Sequence, residues 1–112
     1  MKNIVNQSDE INYIREITDN KFVICYAGSL SLSNGLDSFM ETIKLYSNSN
    51  VVDVFFLVVG DGMLLQKYKN QLLCCENIIF TGKVPREQVQ SYLNLADLLY
   101  FSALPNKIWD YG

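Results

Sequence analysis

The sequence predicts an α/β fold in which a parallel sheet carries helices on both faces. Short apolar runs alternate four times with amphipathic stretches, and the connections between them are short. Two of these runs, residues 22–27 and 54–59, show no alternation of polar and apolar side chains, which is typical of strands covered on both faces. We place residues 54–59, the core of a strand predicted over 51–59, at the centre of the sheet.

Four amphipathic stretches are predicted to be helices because their apolar residues recur at helical spacing. The first runs from Ser8, a suitable N-cap, to Thr18. The next two span residues 36–47 and 63–74. The fourth opens with Pro85 at its first helical position. The apolar face of this last helix is predicted to bury Val89, Tyr92, Leu93 and Ala96.

Two more short strands complete the predicted order, at residues 78–81 and 98–101. Another element opens at Pro105, and the sequence reaches Gly112 within about two helical turns. We therefore expect a piece of a larger domain, in which residues 1–21 form a leading helix and connection and residues 22–112 a partial domain. The fourth strand would then expose an unpaired apolar edge, through which we expect self-association.

Composition excludes several kinds of chemistry. Nine Lys and Arg residues stand against twelve Asp and Glu, and a net charge of −3 argues against binding nucleic acid. The sequence has no His, so it holds no Ser-His-Asp triad and no His-containing zinc site. Cys25, Cys74 and Cys75 fit neither a metal-ligand spacing nor a disulfide framework, which predicts reduced thiols in a cytoplasmic protein. No apolar run is long enough to span a bilayer.

The candidate binding site lies in the loops that follow the strands. In open α/β sheets ligands bind beyond the carboxyl ends of the strands, where this sequence has loops at residues 28–35, 60–62, 82–84 and 102–107. Three of these loops begin with Gly, which lets a backbone approach a ligand closely, and helix N-termini follow them. We expect a phosphate-binding rim, although ordinary turn glycines and an Asp61 helix cap are the alternative. The dinucleotide and P-loop signatures are both missing from the sequence.

As a set, the loops resemble the C-terminal, donor-binding half of retaining glycosyltransferases of the GT-B architecture, the family 4 group. The stretches that carry the resemblance are residues 26–30, 34–37, 56–62, 78–85, 96–100 and 105–111. It implies a Rossmann-like half that binds a nucleoside-diphosphate sugar without a metal or another cofactor. It also implies a missing N-terminal acceptor domain, so that this chain alone would be inactive. The expected role is surface polysaccharide synthesis in the cytoplasm, with peripheral contact of the full enzyme at the inner face of the membrane.

The resemblance assigns binding roles by position and identifies no catalytic residue. Gly28 and Ser29 would lie beneath the diphosphate, and the pocket would be lined by Gly60, Asp61 and Gly62. The base would be framed by Gly82, Lys83 and Val84, the ribose bound by Asp110, and the phosphates approached by Lys107. Ser29 and Asn34 stand where many members have Arg and Lys, so neutral contacts replace charged ones.

Two other functions stay open on the sequence alone. One is a non-catalytic flavodoxin-like or receiver-like module that binds a protein partner. A receiver needs a phospho-accepting Asp at the end of a central strand, where this sequence has Gly60 with Asp61 one step later. The other is a structural α/β piece that binds no nucleotide.

Overall fold

The structure, a computed structural model, describes residues 7–31, 36–49 and 53–100. Helices and strands alternate along this part of the chain. In chain order they are α1 (Gln7–Ile17), β1 (Phe22–Ala27), α2 (Leu36–Ser47), β2 (Val54–Val59), α3 (Leu65–Gln71), β3 (Ile78–Gly82), α4 (Arg86–Leu93) and β4 (Leu98–Leu99). The prediction of alternating strands and helices is therefore confirmed.

The four strands form one parallel sheet in the order β3-β2-β1-β4. β1 pairs with β2 along its whole length, from Phe22 opposite Val54 to Ala27 opposite Val59. The interior position predicted for β2 is confirmed, and β1 is interior as well. β4 lies at an edge of the described sheet, with 52% of Leu98 and 40% of Leu99 exposed.

Helices cover both faces of the sheet, as the two uninterrupted apolar strands predict. Successive strand residues point to opposite faces, so β1, β2 and β3 each supply side chains to both layers of the core. On one face, buried residues of α2 and α3 pack against Tyr26, Phe56 and Val58. On the other, α1 and α4 pack against Val23, Cys25, Phe55, Leu57 and Val59.

On each face a tyrosine joins two helices. The Tyr68 hydroxyl of α3 donates to Asp37 of α2 at 2.8 Å, and the Tyr92 hydroxyl of α4 donates to Glu10 of α1. Burial, reinforced by the neighbouring carboxylate, raises the pKa of Tyr68 to about 12 and raises that of Tyr92 as well. Both hydroxyls therefore stay protonated donors at neutral pH.

Cys25 is a core residue, in agreement with its prediction as a small apolar side chain. It is fully buried in β1, and burial raises the pKa of its thiol to about 12. The thiol is therefore unreactive at neutral pH, because the thiolate is the nucleophilic form. The described cysteines are all unpaired.

Several helix boundaries differ from the prediction: α1 spans Gln7–Ile17 rather than residues 8–18, and α3 ends at Gln71 rather than at residue 74. α3 begins at Leu65 rather than residue 63, because the backbone before it is held elsewhere: the Leu64 N–H donates to the Leu30 carbonyl at 3.0 Å. Pro85 is the N-cap of α4 and not its first helical residue, since its ψ of 141° is extended. The predicted end of β4, at residue 101, lies outside the described residues.

Candidate functional site

A cleft opens at the carboxyl ends of β1, β2 and β3. Its volume is about 540 Å³. The residues that line it come from the ends of β1 and β2, from the first three strand-to-helix connections and from α4: Ala27, Gly28, Ser29, Val59, Gly60, Asp61, Gly62, Lys83, Val84 and Val89. The structure thus brings seven of the predicted site residues to one surface, which is the end of the sheet where parallel α/β folds bind ligands.

Backbone hydrogen bonds join these connections to one another. The Gly28 N–H donates to the Val59 carbonyl at 2.9 Å, and the Leu30 N–H donates to the Asp61 carbonyl at 3.0 Å. The Gly60 N–H donates to the Gly82 carbonyl at 3.1 Å and extends the network to β3. These hydrogen bonds therefore hold the three connections against one another independently of any ligand.

The glycines of the second connection are required by this contact between loops. A Cβ on Gly60 would lie 1.9 Å from the Gly28 carbonyl oxygen, and one on Gly62 would lie 2.3 Å from the Leu30 carbonyl oxygen. No side chain fits at either distance. The close approach expected between these glycines and a ligand is thus, in the structure, an approach between two segments of backbone.

The described cleft carries one charge of each sign. Lys83 is exposed, and it is the only cation among the described residues that line the cleft. Asp61 is also exposed, and its Oδ1 accepts a hydrogen bond from the Gly62 N–H at 2.8 Å. Asp61 does not cap α3, whose N-cap is Leu64 without a side-chain hydrogen bond. The alternative prediction of an Asp61 helix cap is therefore wrong.

The remaining predicted site residues do not line the described cleft. Gly82 ends β3, where its carbonyl accepts the bond from Gly60 and its φ is 75°. Asn34, Lys107 and Asp110 lie outside the described residues. The roles that the resemblance gives them stay predictions.

Val89 is the lining residue that the sequence analysis assigned elsewhere. Its helical spacing with Tyr92 and Leu93 predicted a core position, and Tyr92 is indeed fully buried. Val89 instead lies at the cleft, one turn nearer the start of α4. The spacing of apolar residues identifies which face of a helix points inward. It does not show which residues of that face lie beyond the end of the sheet, where they border the cleft.

A second cavity of about 660 Å³ lies at the amino ends of the strands. It is bordered by Lys21, Tyr46, Phe55 and Asn77 among others, and it contains none of the predicted site residues. Within residues 7–31, 36–49 and 53–100, no group of three or more acidic or Cys side chains is arranged to hold a metal ion. No helix in those ranges is long and apolar enough to cross a membrane.

Two solved structures share this fold. The chain matches the crystal structure of WaaG, a glycosyltransferase involved in lipopolysaccharide biosynthesis, with a TM-score of 0.61 and 22% identity over 88% of this chain. It matches the crystal structure of Anabaena Alr3699/HepE, solved in complex with UDP and glucose, with a TM-score of 0.59 and 20% identity over 87% of this chain. The chain spans 27% of the length of each of these proteins.

Sequence comparison identifies the family. No curated protein gives a significant match to the chain. The family model described as glycosyl transferases group 1 matches residues 7–104, which take in every helix and strand of the structure and all residues that line the cleft. The fold agrees with this match, because the chain shares it with WaaG, which is a glycosyltransferase. The chain therefore belongs to the group 1 family of glycosyl transferases.

Proposed function

We propose that this chain supplies the donor site of a retaining glycosyltransferase of family 4 and binds a nucleoside-diphosphate sugar in the cleft at the carboxyl ends of β1, β2 and β3. The observation that carries the proposal is the gathering of Gly28, Ser29, Asp61, Lys83 and Val84 around this one cleft. The same residues resemble donor-binding loops in the sequence alone. HepE, which shares the fold, was solved with UDP and glucose.

The cleft combines apolar side chains with a positive charge, as the binding of a nucleotide requires. Val59, Val84 and Val89 form an apolar wall that suits the faces of a base. The Lys83 ammonium offers positive charge to the diphosphate, while its backbone and that of Val84 border the base. When the nucleoside diphosphate leaves the sugar, negative charge grows on its phosphates, and a preorganised cation and helix N-termini stabilise that charge without a metal ion or other cofactor.

The rest of the reaction is assigned to the N-terminal half that the GT-B architecture implies. That half would hold a glycan or lipid-linked acceptor, so this chain would bind the donor without transferring the sugar. WaaG is involved in lipopolysaccharide biosynthesis, and a related role in surface polysaccharide synthesis is proposed here. The expected location is the cytoplasm, with the full enzyme at the inner face of the membrane.

Calorimetric titration of the chain with UDP tests the donor site. We expect UDP to bind, and Lys83→Ala to weaken its binding about tenfold, because a charged hydrogen bond to phosphate contributes about 1.5–3 kcal/mol and exposure places this one at the lower end. Lys69→Ala is the matched control, since Lys69 is an exposed lysine of α3 that does not line the cleft. Its UDP affinity should stay within twofold of the unsubstituted chain. No binding of UDP at millimolar concentration, or equal losses in the two variants, would contradict the proposal.

A further inference from the structure

Tyr26 lies in β1, three residues before Ser29, which lines the cleft. It is a buried residue of β1, and its ring lies 6.4 Å from that of Phe39 and 6.4 Å from that of Tyr100, measured between centroids. Its hydroxyl emerges from this aromatic cluster and donates a hydrogen bond of 2.8 Å to the carbonyl oxygen of Ser29. A side chain anchored in the core thus reaches the backbone of a residue that lines the cleft.

The peptide that joins Ser29 to Leu30 is held on both sides. Its carbonyl oxygen accepts from Tyr26, and its N–H donates to the Asp61 carbonyl at 3.0 Å. The two groups of a trans peptide point in opposite directions, so this pair of bonds fixes the orientation of the peptide plane.

The direction of the Ser29 carbonyl matters for the charge of the cleft. A carbonyl oxygen carries partial negative charge, and beside a diphosphate it would repel the ligand. The bond from the Tyr26 hydroxyl directs this oxygen towards the Tyr26 side chain, which is itself buried. The described cleft has a single cation, Lys83, and also the Asp61 carboxylate. With so little positive charge there, a carbonyl oxygen directed into the cleft would weaken the binding of a phosphate appreciably.

We propose that Tyr26 is a positioning residue of the donor site: its hydroxyl fixes the orientation of the peptide between Ser29 and Leu30 and keeps the Ser29 carbonyl oxygen away from the phosphates. The phosphate part of this inference rests on the proposed function. Tyr26 touches no ligand in this account and acts through the backbone of the first connection.

The test compares Tyr26→Phe with the unsubstituted chain in titrations with UDP and with uridine. Loss of the hydroxyl releases the Ser29 carbonyl, and we expect UDP binding to weaken about 3- to 10-fold, as for the loss of one hydrogen bond. Uridine has no phosphates, so its affinity should change less than twofold. Tyr92→Phe is the control, because it also removes a hydroxyl bonded across two elements but lies on the other face of the sheet. It should leave both affinities within twofold.

Amide hydrogen exchange without ligand gives a second, independent readout. We expect the Leu30 amide to exchange about tenfold faster in Tyr26→Phe than in Tyr92→Phe, because the peptide loses the hydrogen bond that the Tyr26 hydroxyl supplies. Equal losses of UDP and uridine affinity, or equal exchange at Leu30 in the two variants, would overturn the proposal. If the unsubstituted chain binds no UDP, the proposed function fails, and the exchange rates alone then decide whether Tyr26 positions this peptide.

Discussion

At the scale of single residues, two glycines at the carboxyl ends of the strands, Gly60 and Gly82, differ in what they do. Gly60 is required by packing, since its hydrogen atom faces the Gly28 carbonyl oxygen where a Cβ would lie at 1.9 Å, and its φ is 142°. Gly82 has a φ of 75° with open space around it. A side chain at Gly60 is therefore opposed by both a steric clash and the backbone conformation, whereas a side chain at Gly82 is opposed only by the backbone conformation.

Paired alanine substitutions separate these two costs. Gly82→Ala should lower the free energy of unfolding by about 1–2 kcal/mol, the cost of a left-handed backbone for a residue with a Cβ. Gly60→Ala should lower it by about 3 kcal/mol or more, because overpacking against a backbone carbonyl that cannot rotate away adds to the conformational cost. Urea denaturation measures both values. Equal losses of stability in the two variants would show that the contact between the loops is not close.

At the scale of elements, β4 is attached to the sheet by polar contacts more than by burial. It has two residues, and both of its side chains are exposed. Asp97, just before it, bonds to β1 twice: its N–H donates to the Val23 carbonyl at 2.8 Å, and its Oδ2 accepts from the Val23 N–H at 2.8 Å. The Tyr100 N–H donates to the Cys25 carbonyl at 2.8 Å on the far side of the strand. The Asp97 carboxylate therefore contributes much of the attachment of β4 to β1.

Asp97→Ala should loosen β4 without a comparable effect on the rest of the sheet. The Val23 N–H would lose its partner, which costs about 1–3 kcal/mol for a group removed from water. We expect amide exchange at Tyr100 to accelerate by a larger factor than at Phe56 in the central strand β2. Glu41→Ala, an exposed substitution on α2, is the control and should change neither rate appreciably. Equal acceleration at Tyr100 and Phe56 would mean that Asp97 stabilises the whole sheet rather than its edge.

At the scale of the whole molecule, the cleft is a product of the parallel sheet. Parallel pairing brings the ends of β1, β2 and β3 to one side, and helices on both faces hold the strands in register. The exposed Leu98 and Leu99 leave the described sheet with an apolar edge. Self-association through that edge stays a prediction of the sequence.

The fold was predictable because its signals are local and strong. Uninterrupted apolar runs mark β1 and β2, and the spacing of Leu36, Phe39, Met40 and Ile43 marks α2, whose predicted bounds equal the observed ones. Their burial follows from the same pattern. An element with a weaker signal was predicted less well, since α3 is shorter at both ends than the sequence suggests.

The cleft was predictable in its location but not in its internal contacts. Gly at the start of three of the loops indicated the end of the sheet where the cleft lies, because parallel strands place their carboxyl ends together. Contacts between loops distant in sequence have no local signal, so neither the packing of Gly60 on Gly28 nor the bond from Tyr26 to Ser29 was predicted. The position of Val89 at the cleft was not predicted either, because its helical spacing with Tyr92 and Leu93 indicates only that it lies on the inward face of α4.

The central claim is that the cleft at the carboxyl ends of the strands binds a nucleoside diphosphate, and a titration of the ¹⁵N-labelled chain with UDP, followed by amide chemical shifts, tests it most directly. We predict saturable shifts concentrated at Ser29, Asp61, Lys83 and Val84, with the amides of Lys21 and Asn77 at the second cavity unchanged. Shifts confined to the second cavity, or no saturable shift at millimolar UDP, would contradict the account.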